Sequence, residues 1–342
     1  MKSVVTTDRL LPPAPSSAYA VKVDRTILLG AAAGTDRHGV LAGETAEQAR
    51  QLFGNLEITL GQLGAGLDDV VQMKAWLRDM RDAVPFQRLL AEFFPSGPPS
   101  HAVVGSPGFA LPHAALEVEL VAGLGPTEGA PTYCAAHGVE PFAVFADLAG
   151  QLAAANLDPD DVVALDVTLA DLRHLASFDA AYEATFAPPF PARTLVVAPL
   201  VRPADRVQVE AIAIAGGGRP IGAKRPLSSA AVLAGEELFI AGQLGHGDGA
   251  QSQAHAAWAQ IKTLLAEAGM TAAHVIRTSN VLTDWRLYRD FSEGYAVHVG
   301  APFPPCSTAL GGLADSRAVV QIAARAHRQA LTSTVLSSEV TG

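Results

Sequence analysis

The residues able to do chemistry in this sequence sit at recurring places. Arg193 stands in Pro191-Ala192-Arg193-Thr194, a proline-stiffened corner ahead of an apolar stretch. A guanidinium fork can hold a carboxylate through two parallel hydrogen bonds; the plain alternative is a surface salt bridge, for example with Asp205. Glu117 and Glu119 alternate with Leu116, Val118 and Leu120, so both carboxyls project from one strand face. On a face lining a cleft, burial would raise their pKa and suit proton transfer; on a solvated face they would be ordinary surface acids. His101 can bind an acid or act as acid and base, or be structural. Cys306 would be a nucleophile only with a lowered pKa and a base nearby; a buried, inert thiol is the alternative. Gln208 and Gln321 can orient a water but cannot take its proton; Gln208 is otherwise a satisfied strand-edge amide.

These positions are related by a repeat. Thirty-one residues separate Val70 from His101, Val162 from Arg193 and Val275 from Cys306. Between them lie LDDVVQMKAWLRDM, DPDDVVALDVTLADL and TAAHVIRTSNVLTDW, each a helix end, a break and a strand, followed by FQRLLAEFF, FDAAYEATF or YRDFSEGYAVHV, second helices rich in aromatics. An amphipathic helix precedes each, the first with Leu52, Leu56 and Leu60 on one stripe, and ALEVELVA, VQVEAIAIA and AVVQIAARA close the copies. The chain is therefore expected to be α+β: an N-terminal extension over 1–17, units over 18–124, 125–217 and 218–329, and a flexible tail over 330–342, with GLGPTEGAP and AGGGRPIG as linkers. Each unit reads as β-β-α-β-α-β, with the front hairpin of the second reduced. Two helices cover one sheet face, so the other must be buried against the sister units around a pseudo-threefold axis.

The unit resembles the RidA/YjgF (Rid) family of imine and enamine deaminases. YAVKVDRTILLG, EQARQLFGNL and AEFFPSGPPSH carry the likeness in the first copy, DDVV, FPART and VEAIAIA in the second, and FIAGQ, LLAEAGMTAAHVI and FPPCS in the third. The resemblance implies a chorismate-mutase-like unit, a pseudo-trimer around a central barrel with helices outside, and a site in each cleft between units. It also implies that the corner arginine grips the carboxylate of a 2-imino acid and holds the imine carbon for water. Only Arg193 keeps that arginine; His101 and Cys306 replace it. The glutamate implied to handle the water is Glu117, one residue further along than the family spacing, and it becomes Gln208 and Gln321. The glycine-proline-tyrosine-serine segment becomes Ser17-Ala18-Tyr19 and Ser228-Ser229-Ala230, and the helix asparagine becomes Gln87, Asp179 and Ser292. The expected catalytic residues are Arg193, Gln208, Glu117, His101 and Cys306, with Arg193, Thr194 and Gln321 binding substrate and the main cleft built on Arg193. Another hydrolase, lyase or cyclisation enzyme on this scaffold, or a metabolite binder, are the other readings.

Composition narrows the partners. The net charge of −10 and the scattered Lys and Arg oppose binding to a phosphate backbone, including the ribonuclease role ascribed to some Rid proteins. Two cysteines make no disulfide framework, and a reducing cytoplasm is expected. There is no signal-peptide pattern and no membrane-length apolar run. The ten histidines show no HExxH or paired ligand spacing, and GAAAG and GDG lack the Lys-Ser/Thr of a phosphate loop. A small-molecule substrate, no metal or other cofactor, and a monomer or a dimer of rings are expected.

Overall fold

A computed structural model describes residues 2–125, 129–331 and 333–338. The first unit carries β1 (Lys2–Thr7), β2 (Ala20–Val23), β3 (Thr26–Leu29), β4 (Ala32–Ala33), α1 (Thr45–Gln62), β5 (Val70–Leu77), α2 (Ala83–Phe93), β6 (Ser100–Gly105) and β7 (Leu116–Gly123). The second has β8 (Thr132–Gly138), α3 (Pro141–Ala154), β9 (Val162–Leu169), α4 (Leu175–Thr185), β10 (Ala192–Val197) and β11 (Val207–Ala213). The third has β12 (Arg219–Ile221), β13 (Ala231–Ala234), β14 (Glu237–Leu244), α5 (Gly249–Glu267), β15 (Val275–Leu282), α6 (Tyr288–Ala296), β16 (Cys306–Leu310), β17 (Val320–His327) and β18 (Ser333–Ser338).

The same local chemistry builds each copy. The first helix buries an apolar stripe: Leu52, Phe53, Leu56 and Leu60 in α1, Val144, Phe145, Leu148 and Leu152 in α3, Ala257, Trp258, Ile261 and Leu265 in α5. It ends on a left-handed residue, Gly64, Asn156 or Gly269, and the next amide closes back onto the carbonyl of Leu60, Leu152 or Leu265. The side chain of Asp69, Asp161 or His274 then accepts the amide of Gly66, Asp158 or Thr271, forming the short turn that launches the strand. A second helix closes over each sheet and completes a separate core.

In every unit the central pair is parallel (β5 with β6, β9 with β10, β15 with β16) and the closing strand runs antiparallel beside it. Register matches across copies: Glu117 lies opposite Trp76, Gln208 opposite Thr168 and Gln321 opposite Val281. The connection over 106–115 is one residue longer than those over 198–206 and 311–319, which accounts for the later position of Glu117 in its copy. The second sheet has four strands, against eight and six in its neighbours.

The strands form three sheets whose edges touch through backbone hydrogen bonds. Gly105 N–H donates to Pro199 O, Val197 and Gly312 exchange backbone bonds, and Ala31 N–H donates to Cys306 O, which joins unit one to two, two to three and three to one. Gly30 has to be glycine at the last joint, because a Cβ there would lie 2.8 Å from Cys306 O. The ends of the chain reinforce this joint. Part of the expected N-terminal extension forms β1, and Ser333–Ser338, in the tail expected to fray, pairs parallel to it as β18. Linker residues 126–128 and tail residues 332 and 339–342 lie outside the described residues.

The sheet faces turned away from the helices meet in apolar clusters that cross units, such as Val163 and Ala192 with Val232 and Phe239. Buried polar ties accompany them. Lys74 binds Glu210 at 2.6 Å between units one and two, and Arg277 pairs with Glu119 between three and one. Arg325, paired with Glu237, donates to Tyr133 at 2.9 Å between three and two. Removing one partner of such a pair leaves a charge buried without compensation, whereas an apolar replacement of both is far less damaging. Glu210→Ala should therefore cost about 3 kcal/mol in chemical denaturation, and Lys74→Met with Glu210→Met much less; equal losses would show that the pair does not bind the units.

Candidate active site

The clefts at the three joints have diverged into different states. The open one lies between units one and three and encloses a cavity of about 310 Å³. Ser17, Tyr19 and Glu117 enter it from the first unit, and Cys306, Thr308 and Tyr288 from the third. The segment Leu10–Ala14 adds an apolar wall opposite Trp285. That wall is held by Tyr19, whose hydroxyl donates to Leu11 O at 2.9 Å. Asn55 of α1 fixes the floor by donating to Thr35 O at 2.8 Å.

Glu117 is the ionisable group of this cavity with the largest consequence. Burial pushes its carboxyl up to about 8, Glu119 adds to the rise, and Arg78 opposes it only in part. The group is thus mostly a neutral acid at pH 7. Burial also raises the Cys306 thiol, as do Glu117 and Glu119, and its Sγ donates to Ser17 Oγ at 3.3 Å. It is a protonated donor, lacking the lowered pKa that a nucleophilic cysteine needs. Tyr288 is raised for the same reasons: burial first, then Cys306 and Glu117.

The cleft between units two and three is stitched shut. Arg193 N–H donates to Ser228 Oγ at 3.1 Å, Gly242 N–H to Thr194 Oγ1 at 3.0 Å, and Gln321 Nε2 to Leu195 O at 3.4 Å. The guanidinium of Arg193 turns back into its own unit. Its Nη1 lies 2.6 Å from Asp179 Oδ1, and its centre lies 4.9 Å from the Tyr182 ring and 5.7 Å from Phe178. Its ion-pair partner is therefore Asp179; Asp205 instead pairs with Arg202 and His137. Thr194 and Gln321 face a small cavity of about 60 Å³ enclosed by all three sheets. In the third cleft, between units one and two, His101 Nδ1 lies 3.0 Å from Pro99 O, and Gln208 is buried on β11.

Of the expected residues, then, Glu117 and Cys306 share one cavity, Arg193, Thr194 and Gln321 line a closed joint, and His101 and Gln208 stand apart from both. The wall at Leu10–Ala14, Asn55, Trp285 and Tyr288 were not singled out from sequence. Leu10-Leu11-Pro12-Pro13, an apolar, turn-rich run in the leading segment, was the available signal.

Known proteins place this arrangement. The sequence profile described as Endoribonuclease L-PSP matches residues 6–124, 139–215 and 218–327, nearly the whole chain in three successive pieces. The chain belongs to the Endoribonuclease L-PSP family. It consists of three diverged copies of that RidA/YjgF unit in one polypeptide. Similar relatives each correspond to about one unit. The 2-iminobutanoate/2-iminopropanoate deaminase of Dermatophagoides farinae is 29% identical over 99 residues, 28% of this chain and 77% of that protein. A RutC family protein of Pyrococcus abyssi is 26% identical over 105 residues, 30% of this chain and 83% of the relative. The mitochondrial protein MMF1 of Saccharomyces cerevisiae is 28% identical over 116 residues, 33% and 79% respectively. A solved chorismatase shares the fold over more of the chain, with a TM-score of 0.55, 12% identity, and coverage of 76% of this chain and 93% of that one. No helix among the described residues is long and apolar enough to cross a membrane.

Within this family framework the Asp179–Arg193 pair acts as a structural tie. Asp179→Ala should lower the unfolding free energy by about 2 kcal/mol, because Arg193 is left largely buried without its partner. Asp179→Ala combined with Arg193→Leu should recover most of the loss in a denaturant titration. A double variant as unstable as the single one would refute the tie.

Proposed function

We propose that this protein is a hydrolase of the imine/enamine deaminase type that works in the single cleft between its first and third units. The observation that carries the reading is Glu117, a carboxyl raised to about 8 in a roomy inter-unit cavity, at the position where the family resemblance implies the residue that handles water. The deaminase relative supports the same chemical class.

A neutral carboxyl there has a defined task. It gives its proton to the β-carbon of an enamine, or to the nitrogen of an imine, and produces an iminium. The carboxylate left behind takes a proton from water as the water oxygen bonds to the iminium carbon. Glu117 then returns that proton to nitrogen and accepts the one from the new hydroxyl as the C–N bond breaks. Ammonia or an amine leaves, and a carbonyl product forms. The Cys306 thiol and the Tyr288 hydroxyl line the same space as hydrogen-bond donors. Arg193 does not enter the scheme.

Imines released in solution by an amine or amino-acid oxidase provide the assay. The protein should accelerate their hydrolysis, and Glu117→Gln should lower kcat by about 100-fold or more. The working form is the protonated acid, so the rate should fall as pH rises through about 8. A Glu117→Gln protein as fast as wild type, or a rate that climbs through that pH range, would contradict the role of Glu117.

A further inference from the structure

The open cavity differs from a carboxylate-binding site in one decisive respect. Among the described residues its lining contains no lysine, arginine or histidine. The third unit supplies Cys306 at the position where the second has Arg193, and that thiol is engaged with Ser17. The cations nearby stand outside it: Arg277 pairs with Glu119, and Arg78, whose Nε donates to Ala114 O at 2.7 Å, reaches Glu117 only through its field. An anion entering the cavity would lose its water with no cation in the lining to bind it directly, beside Glu117.

The remaining surface says what does fit. Leu10, Leu11, Pro12, Pro13, Leu111 and Trp285 form an apolar wall. The volume of about 310 Å³ is far more than a two- to four-carbon imino acid fills. The reacting end of a substrate belongs at Glu117, and the wall lies where a hydrocarbon arm would be sheltered from water.

We infer that the cleft takes imines or enamines that carry an apolar arm and no carboxylate, and that Cys306 is the residue that sets this preference; the inference rests on the hydrolase reading of the same site. The reaction stays balanced: R–CH=NH and water give R–CHO and ammonia, with no redox change.

Binding can be measured apart from turnover. Hexanamide and hexanoate share a chain and differ in charge. In calorimetry, the wild-type protein should bind hexanamide about tenfold tighter or more, and hexanoate binding as tightly as the amide would overturn the inference. Cys306→Arg restores the cation and should reverse the order, while Cys306→Ser should leave it unchanged. A folded Cys306→Arg protein that still prefers the amide would remove Cys306 as the determinant. If that variant does not fold, the wild-type pair decides the substrate class alone. In turnover, the imine released from hexylamine by an amine oxidase should be hydrolysed faster than the imino acid released from norleucine by an amino-acid oxidase. Faster hydrolysis of the imino acid would sink the inference and keep the hydrolase reading. Binding of hexanamide with no hydrolysis of either imine would do the reverse.

Discussion

Each unit of this chain has a sheet whose inner face cannot be exposed and cannot be covered by its own helices. Its partners are the inner faces of the other two units, and contact across them is set by buried polar ties as well as apolar clusters. Lys74 with Glu210, Arg277 with Glu119, and Arg325 with Tyr133 each span a joint. Buried ion pairs bring little net stability over apolar packing, but they tolerate no misalignment, because a displaced partner leaves a bare charge in a dry interior. They therefore hold the units in one register, and that register brings Glu117 of the first unit beside Cys306 of the third.

Fusing three units into one chain removes the identity that symmetry imposes on a homotrimer, and the three clefts have each taken a different course. Between units two and three, Arg193 keeps its family position, but Asp179 stands where the resemblance implies a neutral asparagine, so the guanidinium is neutralised within its own unit and the joint closes over it. Between units one and two, His101 bonds to the backbone nearby. Between units three and one the corner arginine has become a small thiol and the glutamate is kept. The room left by the shorter side chain and the wall added by Leu10–Ala14 give a cavity of about 310 Å³ that holds the retained glutamate. Retaining the motif and keeping its cleft open are thus separate events: the most conventional corner belongs to the closed joint.

Much of the fold was legible in the sequence because its signals are local and repeated. The 31-residue spacing survives in matched registers, and the apolar stripes of α1, α3 and α5 mark helices that are buried as that pattern requires. What escaped was non-local. The partner of Arg193 depends on how α4 lies against β10, so Asp179, fourteen residues away, could not be preferred over Asp205 by inspection. The first seventeen residues carry no readable strand pattern, and β1 gains its second neighbour, β18, only once unit three is in place. The central barrel was implied by resemblance, and the contacts that join the three sheets at their edges are isolated bridges that no local pattern announces. Glu117 was readable as a candidate acid, yet its elevated pKa needs the other wall of the cleft, which unit three supplies.

The central claim is that closure of the ring makes Glu117 a neutral acid near pH 7. Carbon-13 NMR of glutamate side chains, with the Glu117 signal assigned by its loss in Glu117→Gln, measures this directly. A carboxyl that stays protonated at pH 7 and titrates near about 8 is the predicted result, and titration in the ordinary carboxylate range near about 4 would contradict it.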